Sequence, residues 1–283
     1  MPWPTWDQAA LLAVACVLTI AALRRLRPGR LVDAVIPAAR ELGIIAALYS
    51  IWRVARKLPF THEAGAIGRA RDIVRIQTWL HVPTELSLQR FVLRHDELAR
   101  SINSYYAIVH VPALLAFLVW LYVRHRDRFP HWRNGLAGLT AGCLFIRFVR
   151  VAPPRFVTDL GYIDLADRYG LSVYGPVGTG VSDQFAAMPS IHVGWAAVVA
   201  CGVVVCSSSR SRWVVALHLP VTMLVVSATG HHWWLDGVVA IALLAVALRA
   251  DAAVRARRSP RPTSSGRTAV SEATGIAADT TTG

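Results

Sequence analysis

Recurrent apolar stretches, long enough to cross a bilayer and separated by arginine-bearing loops, dominate this chain. A hydrocarbon core of about 30 Å needs roughly 20 mainly apolar helical residues, and about 17 still suffice. The clearest candidates are 104–123, 134–151, 187–206, 213–229 and 233–248, with weaker ones at 9–23 and 35–52. Within lipid each backbone N–H and C=O must be satisfied inside the segment, so these stretches fold as helices. The expected fold class is all-α, a polytopic transmembrane helical bundle of about six to seven spans.

The first stretch is short, and Arg24, Arg25, Arg27 and Arg30 follow it, so it reads as an anchor more than a cleaved signal peptide. The second carries Arg40 and Glu41, which places it near a membrane face or inside the bundle. Composition agrees: 54% of the residues are hydrophobic and the mean hydropathy is +0.43. The net charge of +13 comes almost wholly from arginine, because Lys57 is the only lysine. These arginines flank apolar runs, and no motif sets them on phosphate or base, which argues against nucleic acid as a partner. Cys16, Cys143, Cys201 and Cys206 lie in or beside apolar runs without metal-ligand or redox spacing, and read as core-filling residues.

Short loops orient the bundle. Arg124, Arg126, Arg128 and Arg133, then Arg210 and Arg212, then Arg249, Arg255, Arg257 and Arg258 share one side, which the positive-inside rule makes cytoplasmic. The loop 152–186, the turn at Gly230 and the segment 53–103 then face outward. That last segment is itself arginine-rich and opposes the assignment, but long loops weigh less, and 73–93 can lie on the membrane surface as an amphipathic helix. Three regions follow: 1–103 with anchoring spans and the amphipathic segment, a core at 104–250, and a tail at 251–283 whose Ser, Thr, Ala and Arg composition predicts cytoplasmic disorder. The expected localisation is the cell membrane, multi-pass, with the site extracytoplasmic.

Three polar clusters interrupt the apolar pattern at the same end of their spans. They are Ala152-Pro153-Pro154-Arg155, Met188-Pro189-Ser190-Ile191-His192 and His231-His232-Trp233-Trp234-Leu235-Asp236. Up-and-down topology lets them converge. His232 and Asp236 are four residues apart and share a helix face, so the carboxylate can orient the ring and leave its other nitrogen free to attack. A buried pair that only satisfies itself is the plainer alternative. Pro189 can open a helix at its first turn, with Ser190 and free amides suited to an anion, and a protonated His192 can donate to a leaving oxygen. A simple cap and an interfacial histidine would look the same. Arg155 can fork onto phosphate oxygens or be an ordinary loop residue. Together these groups suit phosphoryl transfer through a phospho-histidine, a scheme that calls for no cofactor and no metal. Zinc on His192, His231, His232 and Asp236 would leave the serine and arginine without a task.

At these residues the chain resembles the type 2 phosphatidic acid phosphatase superfamily, and within it the branch of inositol phosphorylceramide synthase-like phosphotransferases. The likeness covers 101–248 well and the N-terminal third weakly. It rests on Ala152-Pro153-Pro154-Arg155, the run from Ala186 to Trp195, His232 with Asp236, and Asn103-Ser104-Tyr105-Tyr106 followed by His110 and Pro112. The resemblance implies His232 as nucleophile, Asp236 as its partner, His192 as proton donor, and Ser190 and Arg155 as phosphate ligands. The chain departs from the wider pattern in two places. Phe148 stands where a lysine is usual, with Arg147 and Arg150 nearby, and Ser227, Ala228 and Thr229 supply no arginine ahead of the last motif. Arg150 is the candidate substitute.

Spacing selects His232 over His231, which is expected to be interfacial. Tyr105 and Tyr106 are expected in an aromatic belt, and His110 either near the lipid headgroup or in a structural hydrogen bond. The leading function is a lipid phosphatase or phosphotransferase acting on a lipid phosphate or diphosphate. One rival moves phosphoinositol onto an acceptor lipid hydroxyl, and another is a non-catalytic transporter or scaffold. The partners expected are a lipid phosphate and the bilayer.

Overall fold

The computed structural model describes residues 4–55, 65–169, 185 and 187–258. Among them the chain is helical, with no strand and one isolated bridge in which Val151 N donates to Phe185 O at 2.9 Å and Ala187 N to Val151 O at 3.1 Å. Of the tail expected at 251–283, residues 251–258 are instead the last turns of a helix that runs Trp234–Arg258, and 259–283 lie outside the described residues.

Helices α1 (Trp6–Leu23) and α2 (Arg30–Ala55) form a hairpin, pinned where Ser50 Oγ donates to Trp6 O at 2.7 Å and Tyr49 OH to Pro4 O at 3.1 Å. The helices α3 (Ala66–Trp79), α4 (Glu85–Val92), α5 (Asp96–Ile108), α6 (His110–Arg124) and α7 (Phe129–Ile146) follow. After a loop with the short α8 (Leu165–Arg168) come α9 (Ile191–Cys206), α10 (Arg212–Ala216), α11 (His218–Ala228) and α12 (Trp234–Arg258).

Every stretch expected to span is mostly helical, but not every one is a single long helix, and 147–151 and 187–190 lie outside the helices. By length and composition α1 and α12 can each cross a membrane, and α5 with α6 makes a third if the pair, bent by 47°, is one span. The helix α9 and the segment Arg212–Ala228 are apolar but shorter. Two breaks have the same cause. A proline ring clashes with the carbonyl four residues back and cannot donate to it. Pro112 meets Ile108, where α5 ends, and Pro220 meets Ala216, where α10 ends.

The segment 73–93 also divides. His81 adopts φ 55°, Pro83 follows, and Thr84 caps α4 by accepting from Ser87 N at 3.4 Å. In place of one surface helix, α3 and α4 turn Ala70, Ile73, Glu85, Gln89 and Val92 into the interior, and α4 packs on α11.

Helices α7 and α12 lie close because glycines line their seam, as small residues do between membrane helices. A methyl group on Gly138 would come within 2.8 Å of Ala247 Cβ, and one on Gly142 within 3.1 Å of Leu243. Leu114, Phe117, Leu121, Leu139, Val198 and Leu244 fill the core between α6, α7, α9 and α12. Outward, Val17, Val119 and Val246 are each more than 60% exposed, an apolar surface suited to lipid. Cys16 and Cys206 are buried, but Cys201 is exposed and so fills no core.

Candidate active site

The start of α12 and the start of α9 meet. Ser190 N donates to Asp236 O at 3.1 Å, and His231 N and His232 N both donate to Val226 O at 3.1 Å, which folds the 229–233 turn back on α11. Gly230 makes this turn at φ 75°, and a Cβ there would press on Ile163 O at 3.0 Å. Its carbonyl accepts from Arg155 N at 3.0 Å, so the first cluster joins the other two.

His232 is buried, its Nδ1 lying 2.8 Å from Ala187 O and 3.3 Å from Asp236 Oδ2. A carbonyl oxygen can only accept, so Nδ1 carries the hydrogen, and in the neutral ring Nε2 keeps the lone pair. The orienting carboxylate read from spacing is present, but the shorter bond is to a backbone carbonyl, which no side-chain pattern announces. Asp236 is wholly buried, and its Oδ2 also accepts from Trp233 N at 2.9 Å. Trp233, itself buried, donates its Nε1 to Ala152 O at 2.9 Å.

Ser190 is the N-cap of α9, accepting from Val193 N at 3.4 Å, and has no exposed surface. Pro189 therefore precedes the cap and does not occupy the first turn. The ring of His192 lies 5.8 Å from that of His232, 5.1 Å from His110 and 4.8 Å from Tyr106. Two expectations are corrected at this point. His231 is not interfacial but 2% exposed, and it stacks on Tyr106 at 4.3 Å. Tyr106 is likewise 2% exposed and belongs to this cluster rather than to an outer belt, its ring against those of His110, His192 and His231 just ahead of the 47° break between α5 and α6. Burial, with the Arg155 charge beside it, holds the His231 pKa well below the ordinary histidine value and keeps the ring neutral. Tyr105 is half-buried, its OH 2.6 Å from His218 Nδ1.

Arg155 sits in a short 3-10 turn, Pro154–Phe156, almost fully buried, with Nε 3.2 Å from Asp164 Oδ2 and the guanidinium 4.8 Å from the Phe156 ring centre. Asp164 is a partner that sequence reading missed. Arg147 and Arg150 are buried while Phe148 is 58% exposed, so the usual lysine position faces outward and both arginines turn in.

Helix α4 holds the turn between α11 and α12 at both ends. Gln89 Nε2 donates to Ala228 O at 3.2 Å and to Ile163 O at 3.0 Å, and its Oε1 accepts from Ile163 N at 3.0 Å. Glu85 Oε1 accepts from Trp234 N at 2.8 Å and from Gln77 Nε2 at 2.6 Å. Burial raises the Glu85 pKa above its ordinary value, against the lowering effect of those bonds. Among the described residues no group of three or more His, Cys, Asp or Glu is arranged to hold a metal ion.

No curated protein and no solved structure matches the chain. Residues 71–250 do match a family model described as the PAP2 superfamily, a stretch that includes all three clusters and α4. With more than half of its length matched, the chain belongs to the PAP2 superfamily and is, at the general level, a phosphatase-type enzyme.

Proposed function

We propose that the chain is an integral membrane lipid phosphatase or phosphotransferase that works through a phospho-histidine on His232. The observation that carries this reading is the 2.8 Å bond from His232 Nδ1 to Ala187 O, which leaves the Nε2 lone pair for attack. Nε2 forms a bond to phosphorus, and the bond from phosphorus to the leaving oxygen breaks as His192 gives that oxygen its proton. Water or a lipid hydroxyl then attacks phosphorus, returns a proton to His192, and the N–P electron pair goes back to Nε2. Asp236 steadies the ring as it becomes cationic, while Arg155, Ser190 and Arg150 bind the phosphoryl oxygens and His110 stands on the leaving-group side. The scheme uses no cofactor or metal.

Purified protein in detergent should release inorganic phosphate from phosphatidate or an isoprenoid diphosphate, with EDTA leaving the rate unchanged. Loss on chelation, restored by zinc or magnesium, would overturn it. Transfer of phosphoinositol to an acceptor lipid is the second reading, supported by the polar rings of His110 and Tyr106 against His192. Acceptor-dependent loss of phosphate release would favour it. An extracytoplasmic site predicts that a cysteine at Gly178, but not one at Ser264, reacts with an impermeant thiol reagent in intact cells. Both positions lie outside the described residues.

A further inference from the structure

We infer that Asp164 is a positioning residue for phosphoryl transfer: held by its own loop, it fixes the plane of the Arg155 guanidinium and so decides where that fork meets the phosphoryl oxygens. This rests on the reading of Arg155 as a phosphoryl ligand given above.

The backbone of Arg155 is already fixed, because its N–H donates to Gly230 O at 3.0 Å. Its side chain is long and carries several torsions, so a fixed backbone does not aim it. Two contacts do. The guanidinium carbon lies 4.8 Å from the centre of the Phe156 ring, and Nε lies 3.2 Å from Asp164 Oδ2. The three guanidinium nitrogens form one rigid plane, so gripping the Nε edge sets the direction of the other two. Arg155 is also buried, and a guanidinium at that depth is strongly destabilising unless a carboxylate compensates it.

A carboxylate can aim a guanidinium only if it is itself held, and the residues on both sides of Asp164 are tied down. Gly161 turns the chain at φ 88°. Tyr162 is buried with its ring edge-to-face against that of Trp233, the centres 5.5 Å apart. Ile163 is bracketed by Gln89, which donates to its carbonyl and accepts from its amide, both at 3.0 Å. Leu165 is fully buried. Asp164 Oδ1 caps α8, accepting from Ala166 N at 2.9 Å and from Asp167 N at 3.2 Å, while Oδ2 faces Arg155. One oxygen therefore anchors the residue and the other points at the site. Gln89 also holds Ala228 O, and Trp233 follows His232 directly, so the loop that aims Arg155 and the turn that carries the nucleophile hang on the same two side chains.

The test measures kcat/KM on phosphatidate, and inhibition by inorganic phosphate, for the purified full chain in detergent micelles. Asparagine can keep the cap on α8 but offers Arg155 no charge. Asp164→Asn should lower kcat/KM by about tenfold to a hundredfold and weaken phosphate inhibition by a similar factor, as a misplaced ligand does. In an Arg155→Ala background the same change should cost less than about twofold, because no guanidinium is left to aim. Asp164→Glu retains the charge but shifts it by one methylene, and should show both losses in reduced measure; it serves as the test if Asp164→Asn does not fold. Equal fractional losses with and without Arg155, or phosphate inhibition that is unchanged or tighter in the Asp164 variants, overturn the positioning role. A wild type that turns over no phosphatidate brings down the phosphatase reading itself, and this role with it.

Discussion

Each end of α12 carries an aspartate beside a histidine, and the two are built in opposite ways. Near the C-terminal end, Asp251 meets His131 Nδ1 at 2.7 Å, Asn134 Nδ2 at 2.6 Å and Arg255 Nε at 2.5 Å, while neighbouring Arg133 pairs with Glu41. At the N-terminal end, Asp236 faces one ring at 3.3 Å and one backbone amide at 2.9 Å, and its Oδ1 has no hydrogen-bond partner among the described residues. A carboxylate surrounded by its own donors fastens α7 to α12 and has little capacity left for a ligand. A carboxylate buried with spare capacity lowers stability, and a fold accommodates that cost where the neighbouring ring must change its charge during a reaction.

Substitution can break this contrast outright. His232→Ala should abolish phosphate release and trap no phospho-enzyme, and Asp236→Asn should lower kcat by on the order of 10²- to 10⁴-fold. Asp251→Asn should act on the thermal midpoint in detergent, at about 1–3 kcal/mol, with little change in kcat. Comparable kcat losses for the two aspartates would show that both ends serve the same purpose.

The next largest effect separates His192 from His232. His192→Ala should lose about 10²- to 10⁴-fold on an alkyl phosphate, whose leaving alkoxide needs a proton. A nitrophenyl phosphate should recover part of that rate and let the phospho-enzyme accumulate, which acid-quenched labelling would detect. If neither histidine variant forms an intermediate and both fail equally on every substrate, the division of roles falls.

Much of the candidate site at the N-terminal end of α12 is legible in the sequence, because its residues sit at helical spacings. His232 and Asp236 meet at one turn, and Pro189, Ser190 and His192 gather at a helix start. What was not legible depends on tertiary placement. The Ala187 carbonyl carries no side-chain signal, and Asp164 reaches Arg155 only through the path of the loop between them. Tyr106 and His231 look like interfacial residues in the sequence and are instead buried against each other, and the division of 104–123 and 213–229 could have been read from Pro112 and Pro220. The pairing of 73–93 with α11 and α12 was hidden for another reason. Its buried residues include Gln77, Glu85 and Gln89, polar types that a periodicity reading assigns to water.

That polar clamp supplies the smallest predicted effect and a third kind of acid. Glu85 differs from Asp236 and from Asp251 in holding backbone, since Oε1 fixes Trp234 N at the start of α12. Glu85→Leu would leave that amide and Gln77 without an acceptor and should cost about 1–3 kcal/mol, lowering kcat more than it changes KM because His232 loses its alignment. Glu85→Gln keeps a carbonyl oxygen at the same place and should retain most of the rate. The pH dependence gives the finer test. A carboxyl whose pKa is raised in the fold contributes stability that is full below its ordinary value of 4.5 and is lost as pH rises through the higher folded value. Thermal midpoints should therefore fall across that window in the wild type and fall less steeply in Glu85→Gln, which has no proton to lose there. Parallel curves for the two proteins would mean that Glu85 titrates as freely in the fold as in the unfolded chain, and that its hold on Trp234 does not depend on the proton it keeps.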